Sequence, residues 1–185
     1  MKMSVFIATS LDGFIARKDG SVDWLMAAGG EPNDTEDFGY KVFFDSVDCM
    51  IMGRNSMEMV LEYAQWPYEG KRVIVLSHTL TEVPEPLAGK IELYSGSLKE
   101  LVAKLKQEGY KRAYVDGGKT IQSFINEGFI SDLVITTIPV LLGEGLPLFG
   151  KTPSDIKLKH VETIAYANGF VKSTYEINNA HERII

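Results

Sequence analysis

Residues 113–127, AYVDGGKTIQSFINE, are the stretch that decides the fold. Tyr114 and Val115 end a short apolar run, and Asp116-Gly117-Gly118 follows as a turn without bulk. From Thr120 onward, apolar residues recur at the spacing of an amphipathic helix. The pattern therefore predicts a strand, a glycine turn and a helix start, in that order.

A glycine turn of this kind has two interpretations. It can bring backbone N–H groups and the positive end of a helix dipole up to an anion, most commonly a nucleotide phosphate. Alternatively, Gly117 and Gly118 only relieve backbone strain in a plain strand-to-helix turn. This stretch alone favours the plain turn, so the other segments have to decide.

A second junction of the same type follows the apolar run 48–53, DCMIMG. Gly53 allows a close backbone approach, Ser56 can cap the next helix, and Arg54 offers a planar fork of donors at the helix start. Two such junctions in one chain favour a ligand that carries phosphate.

The rest of the chain alternates between strand and helix patterns and then ends in a hairpin. A helix is predicted from Thr35 as N-cap, with Asp37 in its first turn, and the apolar run 132–142 contains Pro139, which indicates an edge or a bulge. Asn168-Gly169 predicts a hairpin between residues 156–165 and 169–177. We therefore expect an α/β fold, a mixed and mostly parallel sheet with helices on both faces and a C-terminal antiparallel hairpin. Other predicted segments are strands at 4–8, 72–77 and 90–95, a helix at 97–108 and a mobile loop at 143–149.

Composition limits the function classes. The 185 residues, 45% of them hydrophobic, suffice for one domain, assigned to residues 1–178 with a tail at 179–185. A net charge of −6 without a Lys/Arg run argues against nucleic acid as a partner. Cys49 is the only cysteine and the three histidines lack ligand spacing, so no metal is expected. The first apolar run is too short for a signal peptide or a membrane span, which favours a cytoplasmic protein.

Four motifs follow one another along the chain: Ile7-Ala8-Thr9-Ser10 with Asp12-Gly13, Met52-Gly53-Arg54-Asn55-Ser56, Val75-Leu76-Ser77, and Val115-Asp116-Gly117-Gly118. Taken together, they resemble the dihydrofolate reductase superfamily over nearly the whole chain. The Asp before Gly-Gly, together with residues 138–149, is similar to the reductase (C-terminal) domain of the bifunctional riboflavin biosynthesis protein RibD and to its stand-alone relatives. The resemblance implies a three-layer dihydrofolate reductase-like fold, NADPH as cofactor and a homodimer.

The resemblance also implies which residues hold the cofactor. The adenosine end would contact the strand-to-helix Gly-Arg junction and the end of the Val-Leu-Ser strand, the pyrophosphate would contact the glycine turn, and the nicotinamide carboxamide would meet backbone groups. By position these residues are Gly53, Arg54, Ser56, Ser77 and His78 for the adenosine end, Gly117, Gly118, Lys119 and Thr120 for the pyrophosphate, and Ala8 and Ile15 for the carboxamide.

For the substrate, the resemblance implies three catalytic positions. Asp37 falls where folate-reducing relatives keep the carboxylate that binds the pterin, and Thr136 falls where the hydroxyl partner of that acid lies. Asp116 departs from the folate pattern, which has an apolar residue at that position. A polar residue there suits a hydroxylated, ring-opened or ribityl-type substrate.

Two functions of different classes remain open. The first is an NADPH-dependent reductase of a small pterin-, pyrimidine- or ribosylamine-like molecule. It would resemble 5-amino-6-(5-phosphoribosylamino)uracil reductase or dihydrofolate reductase, with Asp37 or Asp116 orienting or protonating the acceptor. The second is a non-catalytic nucleotide-binding or assembly protein that keeps the reductase fold.

Overall fold

The computed structural model describes residues 1–28, 37–61, 63 and 65–177. The predicted helix start at Thr35 and the tail at 179–185 lie outside these residues. Within them, no helix is long and apolar enough to cross a membrane.

The described residues form ten strands and five α-helices, with one short 3-10 helix at Glu85–Leu87. The strands are β1 Lys2–Ser10, β2 Phe14–Ala16, β3 Cys49–Gly53, β4 Arg72–Leu76, β5 Ile91–Tyr94, β6 Arg112–Asp116, β7 Asp132–Ile138, β8 Leu146–Pro147, β9 Leu158–Ala165 and β10 Val171–Ile177. The helices are α1 Asp23–Ala28, α2 Tyr40–Asp45, α3 Arg54–Val60, α4 Leu98–Gln107 and α5 Gly118–Asn126.

Eight of these strands form one sheet in the order β5-β4-β3-β6-β1-β7-β10-β9. The first six strands in that order run parallel, and β10 and β9 add an antiparallel hairpin at one side. This architecture confirms the predicted fold class. Because parallel strands point the same way, the carboxyl ends of β1, β3, β4 and β6 all lie at one end of the sheet. Most of the residues predicted to bind the cofactor lie at or just after these strand ends.

The two faces of the sheet are packed differently. On one face, α4 and α5 contribute Leu101, Leu105, Ile121 and Phe124 to a mainly aliphatic core. On the other face, α2 brings Phe43 against Tyr114, with their ring centroids 5.1 Å apart. The second face is rich in aromatic rings. Because side chains alternate along a strand, Asp116 points to this face together with Tyr114, and Val115 points to the other.

Three local expectations are corrected by the structure. The strand predicted at 132–142 ends at Ile138, since Pro139 has no N–H for the ladder, and β7 is not an edge because β1 and β10 flank it. The helix that was predicted to contain Asp37 in its first turn begins only at Tyr40. It follows Gly39, whose backbone is in the left-handed region. The segment predicted as a mobile loop is held by Lys18–Glu144, by pairing of β8 with β2, and by buried Leu148.

Candidate active site

The two glycine junctions predicted from the sequence meet at the carboxyl ends of β3 and β6. These strands are neighbours, with Met52 opposite Asp116. A Cβ atom built on Gly53 would be 2.8 Å from Thr120 Oγ1, and one built on Gly117 would be 2.6 Å from Ser56 Oγ. Each junction therefore depends on the glycine of one strand to admit a hydroxyl from the helix that follows the other.

Both helices begin without a side-chain cap. Helix α5 has Gly117 as its N-cap at φ 92°, a conformation that favours glycine, and helix α3 has Gly53, and neither helix start has a side-chain cap hydrogen bond. The expectation that Ser56 caps α3 is wrong, because its hydroxyl donates instead to the carboxylate of Asp116. The first-turn N–H groups of α5 are thus left without a side-chain acceptor, the arrangement that suits a bound anion.

Arg54 extends the site to the end of β4. Its Nη1 atom donates to Thr79 Oγ1 at 3.2 Å, and its Nε atom donates to Glu58 at 2.6 Å. Ser77 is buried, and its hydroxyl accepts the backbone N–H of Thr79 at 3.2 Å. Thr79 was not assigned to the site from the sequence. A Ser at the end of a strand, whose hydroxyl commonly accepts a backbone N–H two residues later, was the available signal for this turn.

Of the remaining predicted cofactor residues, Ile15 contacts the glycine turn, whereas Lys119 and His78 are exposed side chains. The Cδ1 atom of Ile15 lies 2.9 Å from where a Gly118 Cβ would be, so the β2 segment crosses the turn. Lys119 is exposed on α5. His78 is exposed one residue beyond Ser77, and the structure gives its side chain no partner within the described residues.

Asp116 is half-buried at the end of β6. Its carboxylate accepts the Tyr114 hydroxyl at 3.3 Å, the Ser56 hydroxyl and the Gly117 N–H. Burial raises the pKa of Asp116 above its ordinary value, and these three hydrogen bonds offset only part of the increase. The group is therefore an acid that holds its proton to a higher pH than an exposed aspartate.

Three tyrosines surround Asp116 on the aromatic face. Burial, and next the charge of Asp116, raise the pKa of Tyr40 to about 12. The same two causes raise the pKa of Tyr68 and of Tyr114. The single hydroxyl proton of Tyr114 is shared between Phe6 O at 2.8 Å and Asp116 at 3.3 Å. Sequence reasoning missed these tyrosines because their spacing does not separate them from ordinary core aromatics.

Asp37 occupies a contrasting position before α2. It is exposed, and its two carboxylate oxygens accept the backbone N–H groups of Gly39 and Lys41, each at 2.8 Å. These bonds lower the pKa of Asp37, and the nearby Lys172 lowers it further. Asp37 thus holds the start of the helix, and the residue predicted to cap it, Thr35, lies outside the described part of the chain.

Thr136 presents an unsatisfied hydroxyl on β7. The residue is 4% exposed, and its Oγ1 atom has no hydrogen-bond partner in the described part of the chain, nor does the buried Nε1 atom of Trp24. Thr136 lies opposite Ala8 of β1, and Ala8 packs in the same apolar cluster as Trp24. Since buried polar groups are nearly always paired, two orphans beside one segment of β1 indicate a place where a ligand supplies partners.

Comparison with known proteins gives one matching family. The model of the RibD C-terminal domain matches residues 2–172. Two uncharacterised proteins of Bacillus subtilis are similar: YwjB, 35% identical over 85% of this chain and 88% of its own length, and YyaP, 31% identical over 93% of each.

Solved structures agree with this match. A protein from Shewanella sp. PV-4 with a provisional assignment to riboflavin biosynthesis is 41% identical, with a TM-score of 0.90 over 96% of this chain and 99% of that one. The bifunctional deaminase and 5-amino-6-(5-phosphoribosylamino)uracil reductase of Thermotoga maritima is 16% identical, with a TM-score of 0.69 over 95% of this chain and 56% of that one. The second likeness shows the fold alone, and together they confirm the resemblance seen in the sequence.

Proposed function

Because the chain belongs to the RibD C-terminal domain family, we propose that it is an NADPH-dependent reductase. Its substrate would be a small polar molecule of the pterin, pyrimidine or ribosylamine class, reduced at a C=N or C=O bond. The observation that carries the proposal is the position of Asp116. A carboxyl group with a raised pKa adjoins the uncapped start of α5, so an acid and an anion site lie side by side.

The residues present suit NADPH. The N–H groups at the start of α5 would receive the pyrophosphate, since Gly117 and Gly118 leave no Cβ in its way. Arg54, with Ser77 and Thr79, would receive the 2′-phosphate, because a guanidinium pairs well with a phosphate. Backbone groups of Ala8 and Ile15 would meet the carboxamide, and Ile15 already covers Gly118.

The chemistry assigns separate tasks to the cofactor and to the protein. Bound NADPH supplies the hydride that reduces the substrate carbon. Asp116 donates a proton to the nitrogen or oxygen of the same double bond and is reprotonated by water. Ser56 and Tyr114 orient its carboxyl group, and the raised pKa keeps a larger fraction protonated than in an exposed aspartate. Asp37 positions α2 over the site through its bonds to Gly39 and Lys41.

The buried orphan groups belong to the substrate side of this proposal. Thr136 Oγ1 and Trp24 Nε1 would each form a hydrogen bond to the bound molecule. A buried hydroxyl and indole N–H that are satisfied only in the complex would discriminate strongly against ligands that lack the matching groups.

A homodimer in the cytoplasm completes the proposal. The sequence predicted a free edge at β7, but the two edge strands of the eight-stranded sheet are β5 and β9, and Leu158 and Val161 are exposed on β9. On the sheet face away from Asp116, a groove of about 290 Å³ is lined by Leu158, Phe149 and Tyr175. A second copy could cover these apolar side chains, and light scattering at micromolar concentration that gives a ~20 kDa particle would contradict the dimer.

The test is a nicotinamide absorbance assay with purified protein. NADPH would be mixed with a panel of small pterins, aminopyrimidines, ribosylamines, imines and carbonyl compounds. We expect loss of absorbance that depends on one substrate class and that disappears in Asp116→Asn. NADPH binding without turnover on any panel member would favour the non-catalytic alternative, and absence of NADPH binding would refute the cofactor assignment.

A further inference from the structure

Lys172, on β10, is a residue of the candidate substrate side that neither the sequence nor the family resemblance singled out. It lies directly opposite Thr136 in the antiparallel ladder between β7 and β10. Facing residues project to the same side of a sheet with their Cβ atoms about 5 Å apart. The side chains of Lys172 and Thr136 therefore start from adjacent positions on the same face of the sheet.

The chain makes room for this ammonium group at the start of α2. Lys172 Nζ donates to Phe38 O at 2.7 Å, and it is 2.9 Å from where a Cβ on Gly39 would be. Gly39 has φ 85°, and Phe38, at φ 55°, is the one non-glycine residue with positive φ in the described part of the chain. Backbone strain of this kind persists where surrounding contacts hold it, and it is concentrated at functional sites.

The ammonium group is held in place but not saturated. An ammonium has three N–H donors, and within the described residues one of them has an acceptor, Phe38 O. The ring of Tyr166 lies 5.7 Å from Nζ and restricts where the side chain can go. The side chain is half-buried on the strand position opposite Thr136, and two of its three N–H donors have no acceptor within the described residues.

Charge balance decides what kind of group these donors would bind. Asp37 is close enough to Lys172 for its pKa to be lowered by the ammonium. One cation beside one carboxylate gives no surplus positive charge for a phosphate, which proteins bind with clustered Arg and Lys. A neutral carbonyl oxygen, with two lone pairs, can accept one bond from an ammonium and one from a hydroxyl.

We propose that Lys172 is a specificity-determining residue, whose ammonium group and the hydroxyl of Thr136 together bind a ring carbonyl oxygen of a heterocyclic substrate. This inference rests on the proposed function for the existence of a substrate. It narrows the substrate to oxo-heterocycles and disfavours rings that bear only amino groups in that position, since an amino group cannot accept from an ammonium.

The experiment compares two matched probes by calorimetry on the intact protein. One probe is 5,6-diaminouracil, which has ring carbonyls, and the other is 2,4,5,6-tetraaminopyrimidine, which has amino groups in their place. Lys172→Met should weaken binding of the first probe about tenfold and leave binding of the second unchanged within a factor of ~2, on the scale of one lost charge-assisted hydrogen bond. Lys172→Arg should restore most of the affinity for the first probe.

Lys159→Met is the matched control. Lys159 is on the adjacent strand β9, where it lies opposite Glu176 and is paired with it at 3.0 Å. Glu176 is four residues beyond Lys172 on β10. We expect Lys159→Met to bind both probes like the unmodified protein. Equal weakening of both probes in Lys172→Met would show a structural role and overturn the proposal, as would no binding of 5,6-diaminouracil to the unmodified protein.

Failure of the proposed function would be visible separately. An NADPH fluorescence titration of the unmodified protein tests the reductase assignment without either probe. If NADPH does not bind but the two probes are still discriminated through Lys172, the carbonyl-binding role stands and the reductase assignment falls.

Discussion

Two helix starts border the candidate site, and each has one aspartate beside it. The surroundings of these two aspartates are opposite in character. Before α2, Asp37 is exposed and gives both oxygens to helix N–H groups, which lowers its pKa. Before α5, Asp116 is half-buried among tyrosines, and burial raises its pKa although Gly117 N–H also contacts it. The same residue type beside the same kind of helix start is therefore a structural anion in one place and a proton-holding acid in the other.

The largest expected effect is on turnover. Asp116→Asn should lower kcat by about 10²-fold or more, the usual contribution of a general acid, because an amide cannot donate the required proton. NADPH affinity should stay within a few-fold. Steady-state kinetics and a fluorescence titration would measure the two quantities on the same preparation.

Asp37→Asn is the paired variant for that measurement. It should also lower kcat, but by less, because it acts through the position of α2. Loss of NADPH binding in Asp116→Asn, with full turnover in the complex that remains, would show that this carboxylate shapes the cofactor turn and takes no part in reduction. Equal losses in the two variants would remove the distinction between the two acids.

The next effect concerns the glycine turn before α5. Gly117→Ala should weaken NADPH binding by about 10–100-fold, because φ 92° is strained for alanine and its Cβ would meet Ser56 Oγ at 2.6 Å. Gly109→Ala is a close control, since Gly109 has φ 91° but nothing within 4 Å of a Cβ. Both variants carry the backbone strain, so the difference between their NADPH affinities isolates the site. A similar affinity in the two variants would argue against a pyrophosphate at this turn.

These two regions also differ in how far the sequence could predict them. The region of α5 was predictable because its signals are local: apolar periodicity, a glycine pair and a run of strand residues. Helix α4 shows the same advantage, since Ser97 and Glu100 form the capping box that fixes its start.

The region of α2 was not predictable in the same way. The predicted cap, Thr35, lies outside the described residues, and α2 begins at Tyr40 after Gly39, next to a hydrogen bond from Lys172 to Phe38 O that spans 134 residues of the chain. The tyrosines around Asp116 come from α2, the segment before β4, and β6, and only the sheet order brings them together. Long-range pairing decides such a site, and a single sequence carries little record of it.

A third expected effect concerns the discrimination between NADPH and NADH, which we assign to Arg54. Arg54→Gln should cost about 1.5–3 kcal/mol of NADPH binding, the scale of a charge-assisted hydrogen bond, and leave NADH binding nearly unchanged. Arg17→Gln is a suitable control, because Arg17 is also an exposed arginine paired with one acid, Asp23. Thermal-shift titration with both nucleotides would measure the contrast, and equal responses to NADPH and NADH in the unmodified protein would refute the assignment of Arg54.

The smallest effect, on stability, separates the two carboxylates without any substrate. The lowered pKa of Asp37 means that its stabilising contribution is present above its ordinary pKa of 3.8 and is lost as the pH falls through the lower folded value. The raised pKa of Asp116 has the opposite sign, since the folded protein binds this proton more tightly than the unfolded chain. Its contribution is most favourable below 3.8 and is lost as the pH rises through the folded value.

At neutral pH, therefore, Asp37→Asn should lower the Tm and Asp116→Asn should raise it, and the change for Asp37→Asn should be the smaller one because that carboxylate is exposed and its interactions are screened by solvent. The Asp116→Asn difference should shrink toward zero as the pH is lowered below the ordinary pKa of 3.8, and the Asp37→Asn difference only as the pH falls below the lowered folded pKa of Asp37, because the charge that each variant removes is then already neutralised. Thermal unfolding of the three proteins across this pH range is the measurement. If both variants shift the Tm in the same direction at neutral pH, the two helix starts do not treat their carboxylates differently, and the assignment of Asp116 as the proton donor loses its electrostatic basis.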